Sequence, residues 1–548
     1  MFLQRCITLG LVLSARVLAN GGGAQHPISD HGVQTSSDCH NACTELVTVL
    51  GTQASYSSLP EDFRDSLYCG RQRDVTPACV LRPLTAQDVS LAVKTIAKHN
   101  CHFAIKSGGH AMFEGASNAN GGITIDLVNL NALELSEDMM TASVGPGQRW
   151  GRVYEFLEKQ GRVVIGGRVS SVGVGGFLLG GGISFLSRKY GWASDNIRSY
   201  ELVLANGSIA NINYKSHPDL YWALRGGAGN FGIVTRFELE AYELGSIWGG
   251  LSAYVLTDIR SRYQALNIAR PFSFSLSHII QSASQLVPKL AGRLGFSSTS
   301  TNVIQAFEDM IVKEKADESY LQYFVSLVYH TTPDFYAAGV LHVREKPDGN
   351  PPALADPAIM GGKPTYSTSK VRSLRSLVEE IDPYNNPGYR YLYHEITFRF
   401  NATVFQKVFD FFLEEVELIK HLPGILPVLI IQPISEISRV GNNKNGGNPF
   451  GFTDHDGPIC ALLTNPQWDR AEDDEEVKAS VSRFTEKTMD LLEKEGLLHR
   501  WIYPNYANEK QDVFAGYGEK NRGKLREIQR KYDPEGVFSR LQPGYFKV

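Results

Sequence analysis

Eight of the seventeen residues from Gly166 to Gly182 are glycine, and a second small-residue knot, Ser107-Gly108-Gly109, stands in front of His110. The chain's 52 glycines are not spread evenly, and such density is local. It suits backbone that approaches another group closely, because no Cβ intervenes and φ > 0 is open. Two such turns in one stretch of chain can cradle an anionic pyrophosphate on their amides. Tight packing is the alternative for either turn alone; two turns, the first capped by a histidine, favour the cradle.

The chain has 548 residues, 43% hydrophobic and 20% charged. That length buries a real core, which excludes a disordered scaffold or a disulfide-stapled miniprotein. A formal net charge of −4 offers no basic surface for nucleic acid. Met1–Ala19 carries an early Arg5, an apolar run from Cys6 to Leu13 and Val17-x-Ala19, and reads as a secretory signal cleaved after Ala19. No later run reaches about 18 apolar residues, so no membrane span is expected. Cleavage leaves Cys39, Cys43, Cys69, Cys79, Cys101 and Cys460. Their pairing is open, but five lie within Cys39–Cys101, so bridges are expected in the amino-terminal lobe. Without CxxC pairs or HExxH, no metal site is expected. The sequons Asn206-Gly-Ser and Asn401-Ala-Thr are compatible with secretion, into the medium or into a vesicle or reticulum lumen.

From Val75 to Leu244, short strands, helices and glycine turns alternate. Val89, Ala92, Val93, Ile96 and Ala97 share one helical face within Asp88–Lys98. A strand at His102–Lys106 runs into the Ser107–His110 turn. Ile123–Leu127 and Val163–Ile165 read as strands, Trp150–Gln160 as a helix, and Asn206-Gly207 as the turn between Glu201–Ala205 and Ile209–Asn213. A helix at Asp219–Leu224 and a strand at Gly232–Glu240 follow. Between Gly245 and Lys494 the signals are ordinary, broken by loops at Lys346–Pro364 and Gly441–Pro449. Tyr389–Phe400 alternates as a strand does, placing Tyr393 and Glu395 on one face and His394 on the other. A helix at Glu519–Lys531 and an Asp533-Pro534 stop end the chain. The class is α+β, without a regular βαβ repeat or any internal repeat.

Three familiar signatures fail. Gly227-Ala-Gly-Asn-Phe-Gly232 matches GxGxxG, but a helix precedes it and a strand follows, the reverse of a dinucleotide fingerprint. Gly518–Leu525 lacks the hydroxyl residue of a P-loop, and no G-x-S-x-G elbow occurs.

Lys106-Ser-Gly-Gly-His110, Val172-Gly-Val-Gly-Gly176, Gly180-Gly-Gly182, Arg188-Lys-Tyr-Gly191, Asp195-Asn196, Asp219-Leu-Tyr-Trp-Ala223, Arg225-Gly-Gly227 and Gly232-Ile-Val-Thr235 occur in this order, with Tyr503-x-Asn-Tyr506 and Lys531-Tyr-Asp-Pro534 in the tail. Together they resemble the FAD-linked oxidases of the vanillyl-alcohol oxidase superfamily, in its berberine-bridge-enzyme-like branch, and most of all secreted-type fungal members. The resemblance implies a two-lobe PCMH-type fold with five parts. These are a signal (1–19), a disulfide-rich segment (20–74), an FAD-binding domain (75–244), an inserted antiparallel-sheet substrate domain (245–494) and a carboxyl-terminal segment returning to the FAD lobe (495–548).

It also implies roles for single residues. His110 matches the histidine bonded covalently to the flavin C8 methyl group, and Ser107, Gly108 and Gly109 match the pyrophosphate loop. Val172, Gly173, Gly175, Gly176, Gly180 and Gly181 match a second flavin loop, and Ile233 and Val234 a strand closing around the isoalloxazine. Many relatives add a cysteine link just before this loop. Val169 stands there in this chain, so a single link is expected. Tyr506 matches a tyrosine acting as base, which needs cationic or hydrogen-bonding neighbours to do so near neutral pH. Glu395 is the second candidate base. The implied reaction is proton removal from substrate, hydride transfer to flavin N5 and reoxidation by O₂ to H₂O₂. The expected substrate is a lipophilic secondary metabolite, and oxidation can trigger ring closure. A sugar or alcohol oxidase on the same fold, or a scaffold that binds without turnover, are the alternatives.

Overall fold

The computed structural model describes residues 37–55, 59–266, 288–313, 320–331, 334–345, 356–435, 437, 440, 444–453 and 455–548. The signal segment Met1–Ala19 and parts of both predicted loops lie outside the described residues.

The amino-terminal helix Ser37–Leu50 buries Cys39, Ala42, Cys43 and Leu46 on one face, the spacing of i, i+3, i+4 neighbours. From that face Cys39 bridges to Cys101 and Cys43 to Cys79, whereas Cys69 and Cys460 are unpaired and buried. Helix Ala86–His99 starts at a Thr85–Asp88 capping box and stops where Asn100 turns left-handed. It leads into a four-stranded sheet ordered Ala54–Ser55, Cys79–Leu81, Ile123–Asp126, Phe103–Lys106. Lys106 and Asp126 end adjacent parallel strands in register. Their side chains form a buried ion pair at 2.9 Å, which fixes the strand end from which the Ser107–His110 turn departs.

A second, five-stranded antiparallel sheet runs in the order Leu133–Leu135, Thr141–Val144, Ile233–Glu240, Ile197–Val203, Ile209–Asn213. It contains the Asn206-Gly207 hairpin, with Gly207 at φ +77°. The larger sheet has strands from Ile247 to Thr464. Its main path is Ser297–Ser298, Ile247–Leu256, Asp334–Arg344, Tyr320–Thr331, Val428–Pro433, Ile459–Thr464, His394–Arg399. Its pairings are antiparallel, apart from the short parallel pair at the Ser297 edge. One face packs Tyr323, Val325, Leu327, Val340 and Ile431 against helices Ser300–Lys313, Ala402–Ile419 and Asp474–Lys494. Strand alternation turns the opposite face toward the glycine-rich lobe. The tail returns to that lobe: Phe103 N donates to Leu541 O at 2.7 Å, and Asn230 Nδ2 to Phe546 O at 3.0 Å.

Two predicted strands differ. Tyr389–Phe400 splits into Arg390–Tyr391, paired with Gln467–Trp468, and His394–Arg399, paired with Ile459–Thr464. Arg390 is drawn away by Asp474 at 2.5 Å and Asp74 at 2.6 Å, so the chain bends between the two pieces. At Val163–Ile165 only Arg162–Val163 pairs. Beyond it Gly166 and Gly167 lie against Trp150, where a Cβ on Gly166 would stand 2.3 Å from the indole.

Candidate functional site

A cavity of about 990 Å³ separates the glycine-rich lobe from the free face of the large sheet. Ser107, Gly108, Gly109, His110, Val172, Gly173, Gly175, Gly176, Ile233 and Val234 all line it. The two glycine turns touch backbone to backbone. A Cβ on Gly108 would fall 2.4 Å from Gly173 N, and one on Gly173 would fall 2.2 Å from Gly108 N. Gly109 is left-handed at φ +69°, a conformation open to glycine. Ser107 Oγ fastens the turns by donating to Pro146 O at 2.6 Å and accepting from Gly175 N at 3.1 Å. Gly176 has no heavy atom within 4 Å of the place a Cβ would occupy, so its backbone faces open space.

His110 stacks on Tyr68 at 3.8 Å between ring centroids, with Nε2 3.3 Å from Ser171 Oγ. Burial, and then the charge of Arg149, lower its pKa to about 3, so the imidazole is neutral across the physiological range. Arg149 is held by the carbonyls of Ser171 and Ser66.

Tyr506 lines the cavity beside Tyr503, Asn505 and Tyr393. Its ring meets Tyr503 edge-on at 4.8 Å and Tyr393 at 5.9 Å. Arg168 Nη2 donates to Tyr506 Oη at 2.5 Å, and Arg168 Nη1 to Gln432 Oε1 at 2.8 Å. The sequence reading assigned no role to Arg168. Its adjacency to Val169, just before the second loop, was the available signal, but 338 positions separate it from Tyr506.

Three predicted residues stand apart from the cavity. Gly180 packs on Asn505, whose Oδ1 would lie 2.0 Å from an added Cβ, and Gly181, at φ +98°, packs on Phe450. Glu395 is fully buried, accepting from Thr397 Oγ1 at 2.6 Å and Tyr503 N at 3.3 Å. It stands opposite Leu463, on the side of the sheet that faces the cavity Tyr393 lines, but Tyr503 covers it, and it braces the tail loop there. Burial pushes its carboxyl up to about 8 from the ordinary 4.5, against those two hydrogen bonds.

The folded chain thus keeps a proton on Glu395 that the unfolded chain releases near pH 4.5. The stability it confers is complete below that pH and is lost as pH rises to about 8. Glu395→Gln can still accept from Tyr503 N and donate to Thr397. It should shrink the loss of unfolding free energy between pH 5 and pH 9 by roughly 3–5 kcal/mol. Urea denaturation at both pH values measures this; an unchanged loss would refute it.

The opposite wall is the sheet. Ala253, Gly339, Ser326, Ile430 and Leu463 form one cross-strand row over five strands. Leu251, Leu341 and Phe324 form the row on one side, and Ala337, Val328 and Val428 the row on the other. All of these line the cavity, and Ser326 alone among them is polar.

A family model described as FAD binding domain matches residues 77–213. An FAD-dependent monooxygenase of Fusarium proliferatum is 32% identical over 530 residues, covering 93% of this chain and 95% of its own. The bifunctional solanapyrone synthase of Alternaria solani is 30% identical over 512 residues, covering 93% and 89%. Among solved structures, 6-hydroxy-D-nicotine oxidase from Arthrobacter nicotinovorans superposes with TM-score 0.66 at 21% identity, covering 89% of this chain and 96% of its own. Glucooligosaccharide oxidase from Acremonium strictum, described with a 6-S-cysteinyl, 8α-N1-histidyl FAD, gives 0.67 at 18%, covering 93% and 98%. The likeness to these structures is one of fold.

The residues present suit a flavin dinucleotide. Gly176 leaves open space where a Cβ would stand, residues of both lobes line the cavity, and the amide oxygen of the lining residue Gln542 has no partner among the described residues. With this cradle and relatives matched over nearly their whole length, the chain belongs to the family of FAD-dependent oxidoreductases that these fungal relatives represent.

Proposed function

We propose that the protein oxidises a lipophilic small molecule of secondary metabolism, with Tyr506 as the base and His110 as the single covalent anchor of the flavin. The observation that carries this reading is the apolar sheet face opposite the glycine turns, with Tyr506 at their junction. A sugar needs hydrogen-bond partners along its length, and the three rows of this wall offer one hydroxyl; the cavity's polar residues His330, Tyr366, Glu380, Asn385, Asn386 and Asn465 stand outside those rows. A relative named as a bifunctional solanapyrone synthase agrees with that substrate class.

FAD, when bound, accepts a hydride from substrate and is reoxidised by O₂ to yield H₂O₂. The chain's own residues supply the rest. Ser107 to Gly109, with Gly173, Gly175 and Gly176, hold the dinucleotide on backbone, and Ile233 and Val234 close over it. Tyr506 takes a proton from the substrate O–H, N–H or C–H. Val169 lines the wall at the position the sequence resemblance gives to a second linking cysteine, and none of the lining residues is a cysteine, in keeping with one link. The two disulfides fit passage through the secretory pathway, and among the described residues no helix is long and apolar enough to cross a membrane.

The test compares extracts of producing cells with and without the chain. The metabolite that accumulates without it should bleach the yellow protein anaerobically, whereas a panel of oligosaccharides should not. Bleaching by sugars alone would overturn the substrate reading, and a correctly folded, colourless protein would overturn the enzyme reading.

The sheet wall makes a separate demand. Gly339→Val places a branched side chain in the middle row, where the neighbouring Ser326 hydroxyl already lies 2.5 Å from an added Cβ. It should lower kcat/KM for that metabolite at least about tenfold while acid-stable flavin is unchanged. Unaltered kinetics would remove this row from the substrate site.

A further inference from the structure

We propose that Arg168 is a positioning residue for Tyr506, the cation that orients its phenol and balances the charge of its oxygen when the proton has left. The inference rests on the reading of Tyr506 as base.

Arg168 leaves the glycine-rich loop and is held on three sides by parts of the chain far apart in sequence. Its guanidinium lies 5.3 Å over the Phe324 ring, Nη1 donates to Gln432 and Nη2 to Tyr506. Phe324 and Gln432 sit side by side on adjacent strands, because Val325 pairs with Ile431. The sheet thus fixes the guanidinium, and the guanidinium fixes the phenol. With one lone pair of Tyr506 Oη engaged by a donor, the hydroxyl proton must point elsewhere.

The charge balance is the second observation. Among the described residues, no carboxylate pairs with Arg168; its hydrogen-bond partners are a neutral amide and a phenol. A cation at the wall of an apolar cavity without a counter-charge is unfavourable unless one forms during function. Three titratable groups face the phenol: Tyr393 and Tyr503, edge-on, and Arg168. Both tyrosines are kept protonated by burial, and Glu395 lies behind Tyr503, on its backbone amide. Arg168 is the cation of this set, and a phenolate at Tyr506 is the counter-charge it can meet through a charge-assisted hydrogen bond.

The experiment titrates the holoprotein by tyrosinate difference absorbance, subtracting Tyr506→Phe so that the signal belongs to that one phenol. Arg168→Leu should move the midpoint upward by about one pH unit or more, Arg168→Lys should restore part of the shift, and acid-stable flavin should be unchanged in both. Gln432→Leu, which removes one support of the guanidinium, should shift the midpoint in the same direction by less. It stands in if Arg168→Leu fails to fold. An Arg168→Leu midpoint equal to wild type overturns the inference. So does a loss confined to binding of an anionic substrate, since the cation would then serve the substrate. Full turnover by Tyr506→Phe would sink the base assignment, whereas the difference titration reports the Arg168 pairing regardless.

Discussion

Tyr506→Phe is expected to lower kcat by about two to four orders of magnitude, the usual worth of a positioned acid or base, while leaving acid-stable flavin and thermal stability near wild type. The substitution removes one oxygen from the cavity wall. Tyr503 and Asn505, which tie this loop to Ile183 and Phe177 through their own bonds, are untouched, and the edge-on ring contacts survive. A large fall in kcat with KM little changed therefore isolates proton transfer from packing. The neighbours sharpen the expectation. Tyr393 and Tyr503 line the same cavity, but burial raises both phenols well above the ordinary range, and Tyr503 already accepts two hydrogen bonds. Neither can substitute as base. Stopped-flow reduction of the flavin by the accumulated metabolite, with oxygen excluded, measures the step directly. Wild-type reduction rates in Tyr506→Phe would move the base to another residue.

The parts of this site readable from sequence are those whose cause is local. Gly108 and Gly173 reveal themselves because close backbone approach admits one residue type, whatever lies opposite. Helix Ala86–His99 carries its face and its cap within its own fourteen residues. What the sequence conceals is set by pairing across long separations. The row Ala253–Gly339–Ser326 exists only through strand register, and each residue alone reads as an unremarked small side chain. The split of Tyr389–Phe400 depends on Asp474 and Asp74 reaching Arg390, and alternation shares a face between Tyr393 and Glu395 without showing that Tyr503 covers the second of them. Gly180 and Gly181 share the glycine signature of the cradle, yet their bareness accommodates Asn505 and Phe450. Local composition shows where backbone must be bare; it does not show what approaches it.

His110→Ala should convert flavin attachment from covalent to exchangeable: acid precipitation should leave wild-type pellets yellow and send all the flavin of the variant into the supernatant. The chemistry needs a neutral imidazole nucleophile, and the fold provides one. Burial and the nearby Arg149 charge hold His110 near pKa 3, and Tyr68 stacked at 3.8 Å fixes the ring plane. Because the imidazole is already neutral, covalent incorporation into apoprotein should proceed at a rate that does not vary with pH between about 5 and 8. An unshifted histidine, with a pKa of about 6.5, would gain activity across that window. The glycine cradle is independent of the side chain, so His110→Ala should still bind FAD reversibly, seen as yellow native protein that loses colour on dialysis. Two results would count against the assignment. Flavin retained in the denatured variant would place the bond on another residue, and a wild-type incorporation rate rising through pH 6.5 would mean that the imidazole is not held neutral by its surroundings.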